Sequence, residues 1–167
     1  MAGRTKRAAA GTSPLAAVHK ALCESPIGPL EVAGTEEGIL SIEFSDRRAI
    51  PAGPPDPCLK ECLRQLEEYF QGTRRTFSLR LDLRGTPFQK RVWSELLKVP
   101  FGRTVAYRDI AAALGNPRAT RAVGGANHRN PVSIVVPCHR VVGANGSLTG
   151  YGGGLRRKEW LLAHEKK

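Results

Sequence analysis

Apolar positions along this chain recur with two different periods, and the architecture is expected to change where the period does. Short apolar runs at 15–23, Leu30–Ala33 and Ile39–Phe44 are separated by Ser25-Pro26-Ile27-Gly28 and Thr35-Glu36-Glu37-Gly38, both rich in turn formers. They predict three strands of an antiparallel meander. Residues 45–57 hold Pro51, Pro54, Pro55 and Pro57 and read as a loop. Leu59, Cys62, Leu63, Leu66 and Phe70 then recur at helical spacing up to Gly72, giving one helix with an apolar face for the sheet. Phe77 to Leu83 alternates strictly between apolar and polar, which predicts a further strand closing a small N-terminal domain.

After Gly85 the pattern turns helical. Thr86 as N-cap and Pro87 as first helical residue open a helix with Phe88, Val92, Trp93, Leu96 and Leu97 as its apolar positions, ended by Val99-Pro100-Phe101-Gly102. Tyr107–Leu114 and Arg118–Ala126 flank the turn Gly115-Asn116-Pro117, the pattern of a helix-turn-helix. Asn130–Val136 reads as a buried strand that delivers Pro137-Cys138-His139-Arg140, and a glycine-rich loop over 143–154 leads to a last helix, Arg156–Glu165. The fold class is therefore α+β: a small N-terminal α/β domain with an antiparallel sheet (15–84) and a mainly helical, helix-turn-helix, winged-helix-like C-terminal domain (85–167). Residues 1–14 are small, polar and basic without apolar period, and read as a flexible basic arm.

Charge sharpens this picture. The 167 residues carry 26 Lys and Arg against 15 Asp and Glu, a formal net charge of +11. Up to Leu83 there are 11 basic and 11 acidic side chains, whereas residues 84–167 carry 15 basic and 4 acidic. The whole excess lies in the helical half, which points to a nucleic-acid surface there, with a merely solubilising basic face as the alternative. No apolar run reaches the length of a membrane span, and Ala8-Ala9-Ala10 is too short for a signal-peptide core, so an intracellular protein is expected. Four cysteines, Cys23, Cys58, Cys62 and Cys138, are too sparse for a disulfide scaffold and are expected as thiols.

Cys138 stands out among them. His139 and Arg140 beside it favour a thiolate and a lowered pKa, which makes it the candidate nucleophile. Cys58 and Cys62, four residues apart on a helix, read as core positions, since they lack the knuckle and second ligand pair of a zinc site. On the second helix of the helix-turn-helix, Ala119, Ala122, Val123 and Ala126 predict a buried stripe, while Arg118, Arg121, Gly124 and Gly125 fall elsewhere. Glycine inside a helix costs about 1 kcal/mol relative to alanine, so a reason is expected: close approach to a DNA backbone, or close packing on a neighbouring helix. The glycine-rich loop has no Lys-Ser/Thr ending and is not a P-loop. A DNA-binding regulator with an incidental cysteine and a Cys-His hydrolase remain rival readings of these residues.

Pro137-Cys138-His139-Arg140, preceded by Asn130-Pro131 and followed by Gly150-Tyr151, Gly153-Gly154-Leu155 and Trp160-Leu161-Leu162-Ala163-His164-Glu165, closely resembles the alkylguanine-DNA alkyltransferases. The resemblance is strong over 86–165 and weaker over 18–83. It implies a repair protein that flips out guanine alkylated on its exocyclic oxygen, and the thymine analogue, and moves the alkyl group irreversibly to Cys138, once per molecule. On it, His139 is the base acting through a water, Glu165 orients His139, Tyr107 crowds the target phosphate and bonds a ring nitrogen, and Arg121 fills the vacated stack. Asn130 ties the recognition helix to the active-site strand; Arg118, Thr120, Ala122 and Gly124 belong to the DNA-contacting set. Val141, Tyr151 and Gly152, with the carbonyls of Cys138 and Val141, form the base pocket. No cofactor is needed, because the substrate carries the transferred group. No metal is expected, because Thr35 and Leu40 stand where some members have ligands. The partner is double-stranded DNA with alkylated guanine, the protein a monomer without membrane contact. Its place is cytoplasmic and nucleoid-associated in a prokaryote, nuclear in a eukaryote.

Overall fold

The computed structural model describes residues 17–46 and 55–166. The basic arm and most of the proline-rich loop fall outside them, as does the Cys58 side chain. Strands β1 (His19–Cys23), β2 (Leu30–Thr35) and β3 (Gly38–Phe44) form the antiparallel meander in the order β1-β2-β3. Helix α1 (Pro57–Phe70) lays Leu59, Cys62, Leu66 and Tyr69, all fully buried, against that sheet. Gly38, at φ +149°, is required: a Cβ there would lie 2.7 Å from the Arg80 carbonyl oxygen.

The predicted strand over 77–83 is not a strand. Only Leu81 bridges to Ile39, in parallel, with Ile39 N–H donating to Arg80 O at 2.8 Å and Asp82 N–H to Ile39 O at 2.9 Å. The alternation is still obeyed, since Phe77, Leu79, Leu81 and Leu83 pack on the core. What is missing is a free edge: further along β3, Ile42 already pairs with the Pro131–Ser133 backbone, and the backbone of Ser78 is held by the Gln65 side chain.

In the second half, Thr86 and Gln89 form a capping box for α2 (Pro87–Leu96), which satisfies two of the N–H groups that every helix start leaves unpaired. Val92, Trp93 and Leu96 are buried, whereas Leu97, expected among the apolar positions, is 47% exposed. Next come β4 (Val105–Ala106), α3 (Tyr107–Ala113), a 3-10 turn at Pro117–Ala119 and α4 (Thr120–His128). Trp93 Nε1 donates to the Ala126 carbonyl at 2.9 Å and pins α4 on α2. The buried face of α4 is Val123, Ala126 and Asn127. Ala122 is exposed and Ala119 only half-buried, which corrects the predicted stripe. Strand β5 (Val141–Val142) pairs in parallel with β4, and α5 (Leu155–His164) closes the chain.

The second correction falls on 130–136. This run is buried, but it makes one bridge, Val132 to Ile42, and then turns back, with Val136 N–H donating to Val132 O at 3.0 Å. Ile134 sits at φ +74°, a left-handed conformation that a β-branched residue rarely adopts. Asn130 closes the turn: its Oδ1 accepts from Val132 N–H at 3.0 Å and its Nδ2 donates to Val136 O at 2.8 Å. A single buried cluster runs from Leu30, Ile42 and Tyr69 through Val132 and Val136 to Cys138 and Leu161. The turn thus presents Cys138 where the sheet meets the helical half.

Candidate active site

Cys138 opens a 3-10 turn, Cys138–Arg140, whose three side chains are all buried. Asn130 Nδ2 donates to Cys138 Sγ at 3.0 Å, while Asn127 Nδ2, from the end of α4, donates to the Cys138 carbonyl at 3.3 Å. Burial pushes the thiol up to about 11, against the lowering effects of Asn130 and Lys158. The sequence expectation of a lowered pKa is therefore wrong, and the geometry gives the reason. Both neighbours in sequence are engaged by Glu165, His139 through Nε2 and Arg140 through its guanidinium.

Glu165, at the C-terminal end of α5, gathers donors from across the molecule. Oε1 accepts from Tyr69 Oη at 2.8 Å and Arg140 Nη2 at 3.0 Å, and lies 2.7 Å from His139 Nε2. Oε2 accepts from Arg140 Nε at 2.8 Å and Gly102 N–H at 3.1 Å. Burial would raise the Glu165 pKa, but the hydrogen bonds from His139 and Arg140 outweigh it and hold the carboxyl well below its usual range. Burial lowers the His139 pKa against the raising effect of Glu165, which keeps the imidazole neutral. An ionised carboxylate on Nε2 requires the proton there, so Nδ1 carries the lone pair. That Nδ1 is buried and has no hydrogen-bond partner among the described residues; the same holds for Asn127 Oδ1 and the Tyr151 hydroxyl. Buried polar atoms are normally paired. Three unpaired ones on residues packed about one thiol mark a site built for something that brings its own hydrogen bonds.

Val141 and Tyr151 are buried beside this cluster, and Gly152 lines a cleft of about 360 Å³ with Phe44, Asn130 and Ser133. The Val141 carbonyl accepts from Lys158 Nζ at 2.6 Å. Tyr107, first residue of α3, donates its hydroxyl to the Thr149 carbonyl at 2.9 Å. The structure thus brings Cys138, His139, Glu165, Asn130, Val141 and Tyr151 together. Arg118 in the 3-10 turn and Arg121 and Ala122 on α4 are exposed, and Thr120 and Gly124 are half-buried. Arg118 and Arg121 line a groove of about 620 Å³ between α2 and α4 with Thr86, Phe88, Gly125 and Arg129. A Cβ at Gly124 would meet only Tyr107 at 4.0 Å, and one at Gly125 only Arg129 at 3.8 Å. Both are ordinary contacts, so close helix packing does not require either glycine.

Sequence reasoning missed Tyr69 and Lys158, and set Arg140 beside the thiol where the structure gives it to Glu165. Lys158 carried a signal, since it shares one face of α5 with Leu161 and Glu165 at three- and four-residue spacing. Tyr69 was hidden among core aromatics, and nothing local marks Arg140 as the partner of Glu165. Among the described residues, no cluster of three His, Cys, Asp or Glu side chains is arranged to hold a metal ion.

Both halves of the chain are similar to known proteins. Residues 87–167 match the family model described as 6-O-methylguanine DNA methyltransferase, DNA binding domain, and residues 18–83 match its ribonuclease-like domain. A methylated-DNA–protein-cysteine methyltransferase of Methanosarcina acetivorans is 48% identical over 89% of this chain and 98% of its own. The Mycobacterium leprae protein of the same name is 47% identical over 89% and 93%. The crystal structure of Mycobacterium tuberculosis OGT in complex with DNA superposes with a TM-score of 0.80 at 48% identity, covering 89% of this chain and 92% of that one.

Proposed function

The chain belongs to the 6-O-methylguanine DNA methyltransferase family, and from that membership we propose that it repairs DNA by taking an alkyl group from the exocyclic oxygen of guanine onto Cys138. One observation carries the assignment to this cysteine. The Cys138 thiol is buried and held by Asn130, next to a His139 whose Nδ1 is unpaired and whose Nε2 is backed by an ionised Glu165.

The thiol proton passes through a water to His139 Nδ1, and Glu165 balances the imidazolium that forms. The sulfur then attacks the alkyl carbon. A carbon–sulfur bond forms, the carbon–oxygen bond breaks, and its electron pair passes into the guanine ring. The Tyr107 hydroxyl donates a hydrogen bond to a ring nitrogen and steadies the departing guanine anion, which takes its proton from water while the imidazolium returns its own to solvent. A thioether has no leaving group that water displaces under ordinary conditions, so Cys138 is consumed and each molecule turns over once.

An alkylated base within a duplex cannot reach a thiol that is only 4% exposed, so the nucleotide is flipped out, at a cost of a few kcal/mol of stacking. Arg121, from the exposed face of α4, enters the gap, while Arg118, Thr120, Ala122 and Gly124 follow the backbone. Val141, Tyr151 and Gly152 receive the base. The protein acts as a monomer on duplex DNA containing alkylated guanine or the thymine analogue. Incubation with a methylated duplex is expected to add one methyl group per chain, located on Cys138 by peptide mass spectrometry. Cys138→Ala is expected to take up none while its affinity for DNA stays within about twofold. A methyl group on another cysteine, or release of free methanol over many turnovers, would refute the reading.

A further inference from the structure

Tyr69 is fully buried on α1, and its hydroxyl donates at 2.8 Å to a carboxylate 96 residues further along the chain. Its ring packs against Phe70, Phe77, Phe101 and His164, and its carbonyl oxygen lies 2.7 Å from His164 Nε2. Those contacts hold the ring without the hydroxyl, so phenylalanine would fill the same place. A phenol buried this deeply is kept for its hydrogen bond. Glu165 does not lack other donors. A carboxylate offers about four lone-pair sites, and among the described residues Glu165 accepts five hydrogen bonds. Three of them, from Tyr69, Arg140 Nη2 and His139 Nε2, converge on Oε1, where about two sites exist. What one donor gains there, the others lose.

We propose that Tyr69 is a positioning residue for methyl transfer: its hydroxyl occupies part of Glu165 Oε1 and so limits how tightly that oxygen holds the His139 Nε2 proton, which lets the N-terminal half of the chain tune the base that serves Cys138. The inference rests on Cys138 being the acceptor. A hydrogen bond donated to a carboxylate stabilises its negative charge and leaves less of it for a neighbouring imidazolium. Too tight a hold would keep His139 protonated and unable to take the thiol proton; too loose a hold would leave the imidazolium unbalanced. The other titratable groups about this pair are Cys138 and Arg140 from the 3-10 turn, Lys158 and His164 from α5, and Tyr151 from the glycine-rich loop. Burial lowers the His139 pKa, Glu165 raises it, and the charges of Arg140 and Lys158 lower it again. Burial raises the pKa of Tyr69, Tyr151 and Cys138, so these three are neutral near pH 7.

The test is single-turnover transfer from an O6-methylguanine duplex at saturating protein, from about pH 5 to 9, for the unaltered chain and Tyr69→Phe, with the downfield NMR resonance of the His139 Nε2 proton recorded in each free protein. Tyr69→Phe keeps the ring and the carbonyl that His164 meets, and frees Oε1 for His139. It is expected to move the acid limb of the rate to higher pH by about half to one unit and to leave the rate above that limb within about twofold. The proton resonance is expected to move further downfield, as the His139–Glu165 bond tightens. If the limb or the resonance stays in place, or the rate falls by one factor at every pH, Tyr69 only joins the two halves and the proposal fails. A 3-fluorotyrosine at position 69, a stronger donor of nearly the same shape, is expected to shift both readouts the opposite way. It decides alone where melting curves show that Tyr69→Phe has not folded. If the unaltered chain takes up no methyl group at any pH, the assignment of Cys138 fails instead, while the resonance still reports whether Tyr69 limits the bond between His139 and Glu165.

Discussion

Glu165 is the residue on which the two halves of the molecule meet chemically. Tyr69 reaches it from α1, Gly102 from the loop after α2, and His139 and Arg140 from the 3-10 turn. Replacing it with glutamine leaves the shape and removes the charge, so Arg140 becomes a buried cation without compensation. Glu165→Gln is expected to destabilise the fold by about 3 kcal/mol, read from urea unfolding, and to slow methyl transfer, because a neutral amide stabilises the imidazolium less. The same carboxylate sets the acid limit of the fold. Its pKa in the folded state lies below the ordinary value of 4.5, so its contribution is complete above that pH and is lost progressively as pH falls below it. The melting temperature is expected to drop on acidification below about pH 4.5, with a shallower drop in Glu165→Gln. An equal drop in both would assign the acid sensitivity to other carboxylates.

At the scale of elements, α4 shows what periodicity can and cannot read. Its existence follows from the apolar spacing, but its limits, read as Arg118–Ala126, fall at Thr120–His128, and Ala122 points outward, because alanine is small enough to satisfy either face and the spacing does not choose between them. The buried runs show the same limit from another side. Asn130–Val136 and Phe77–Leu83 were legible as packed segments, but whether a packed segment becomes a strand depends on a free edge, and β3 divides its edge between them. Cys138, His139 and Glu165 were legible through the family motif. The hydrogen bond that Glu165 accepts from Tyr69, far away in sequence, is chosen by tertiary packing. The glycines of α4 allow a sharper test. Since a Cβ at Gly124 meets only ordinary contact, Gly124→Ala is expected to stabilise the protein by up to about 1 kcal/mol while slowing transfer from duplex DNA, because the methyl group stands between α4 and the backbone it follows. Arg121→Ala is expected to slow duplex repair and spare reaction with free benzylated guanine, which needs no extrusion. Equal slowing of both substrates would make Arg121 a structural residue.

Across the whole molecule, charge and packing divide the chain differently. One hydrophobic core joins both halves, but the net charge of +11 falls entirely within residues 84–167. Among the described residues of the first half, Arg64 pairs with Glu61 and Glu68, Arg74 with Glu68, and Lys20 with Glu31. Arg118 and Arg129, by contrast, are exposed on the rim of the α2–α4 groove and enter no ion pair among the described residues. A phosphate backbone lying along that rim displaces a condensed counterion at each such contact, so log affinity falls with log salt by about 0.9 per contact. Arg118→Ala and Arg129→Ala are each expected to flatten that slope by about 0.9, and together by about 1.8, on methylated and unmethylated duplexes alike, since phosphate contacts carry no sequence information. Arg64→Ala is expected to leave the slope unchanged, because its charge is already matched within α1. A slope that ignored Arg118 and Arg129 and responded to Arg64 would place the DNA on the other half of the molecule, and would separate the DNA surface from the cysteine it is meant to serve.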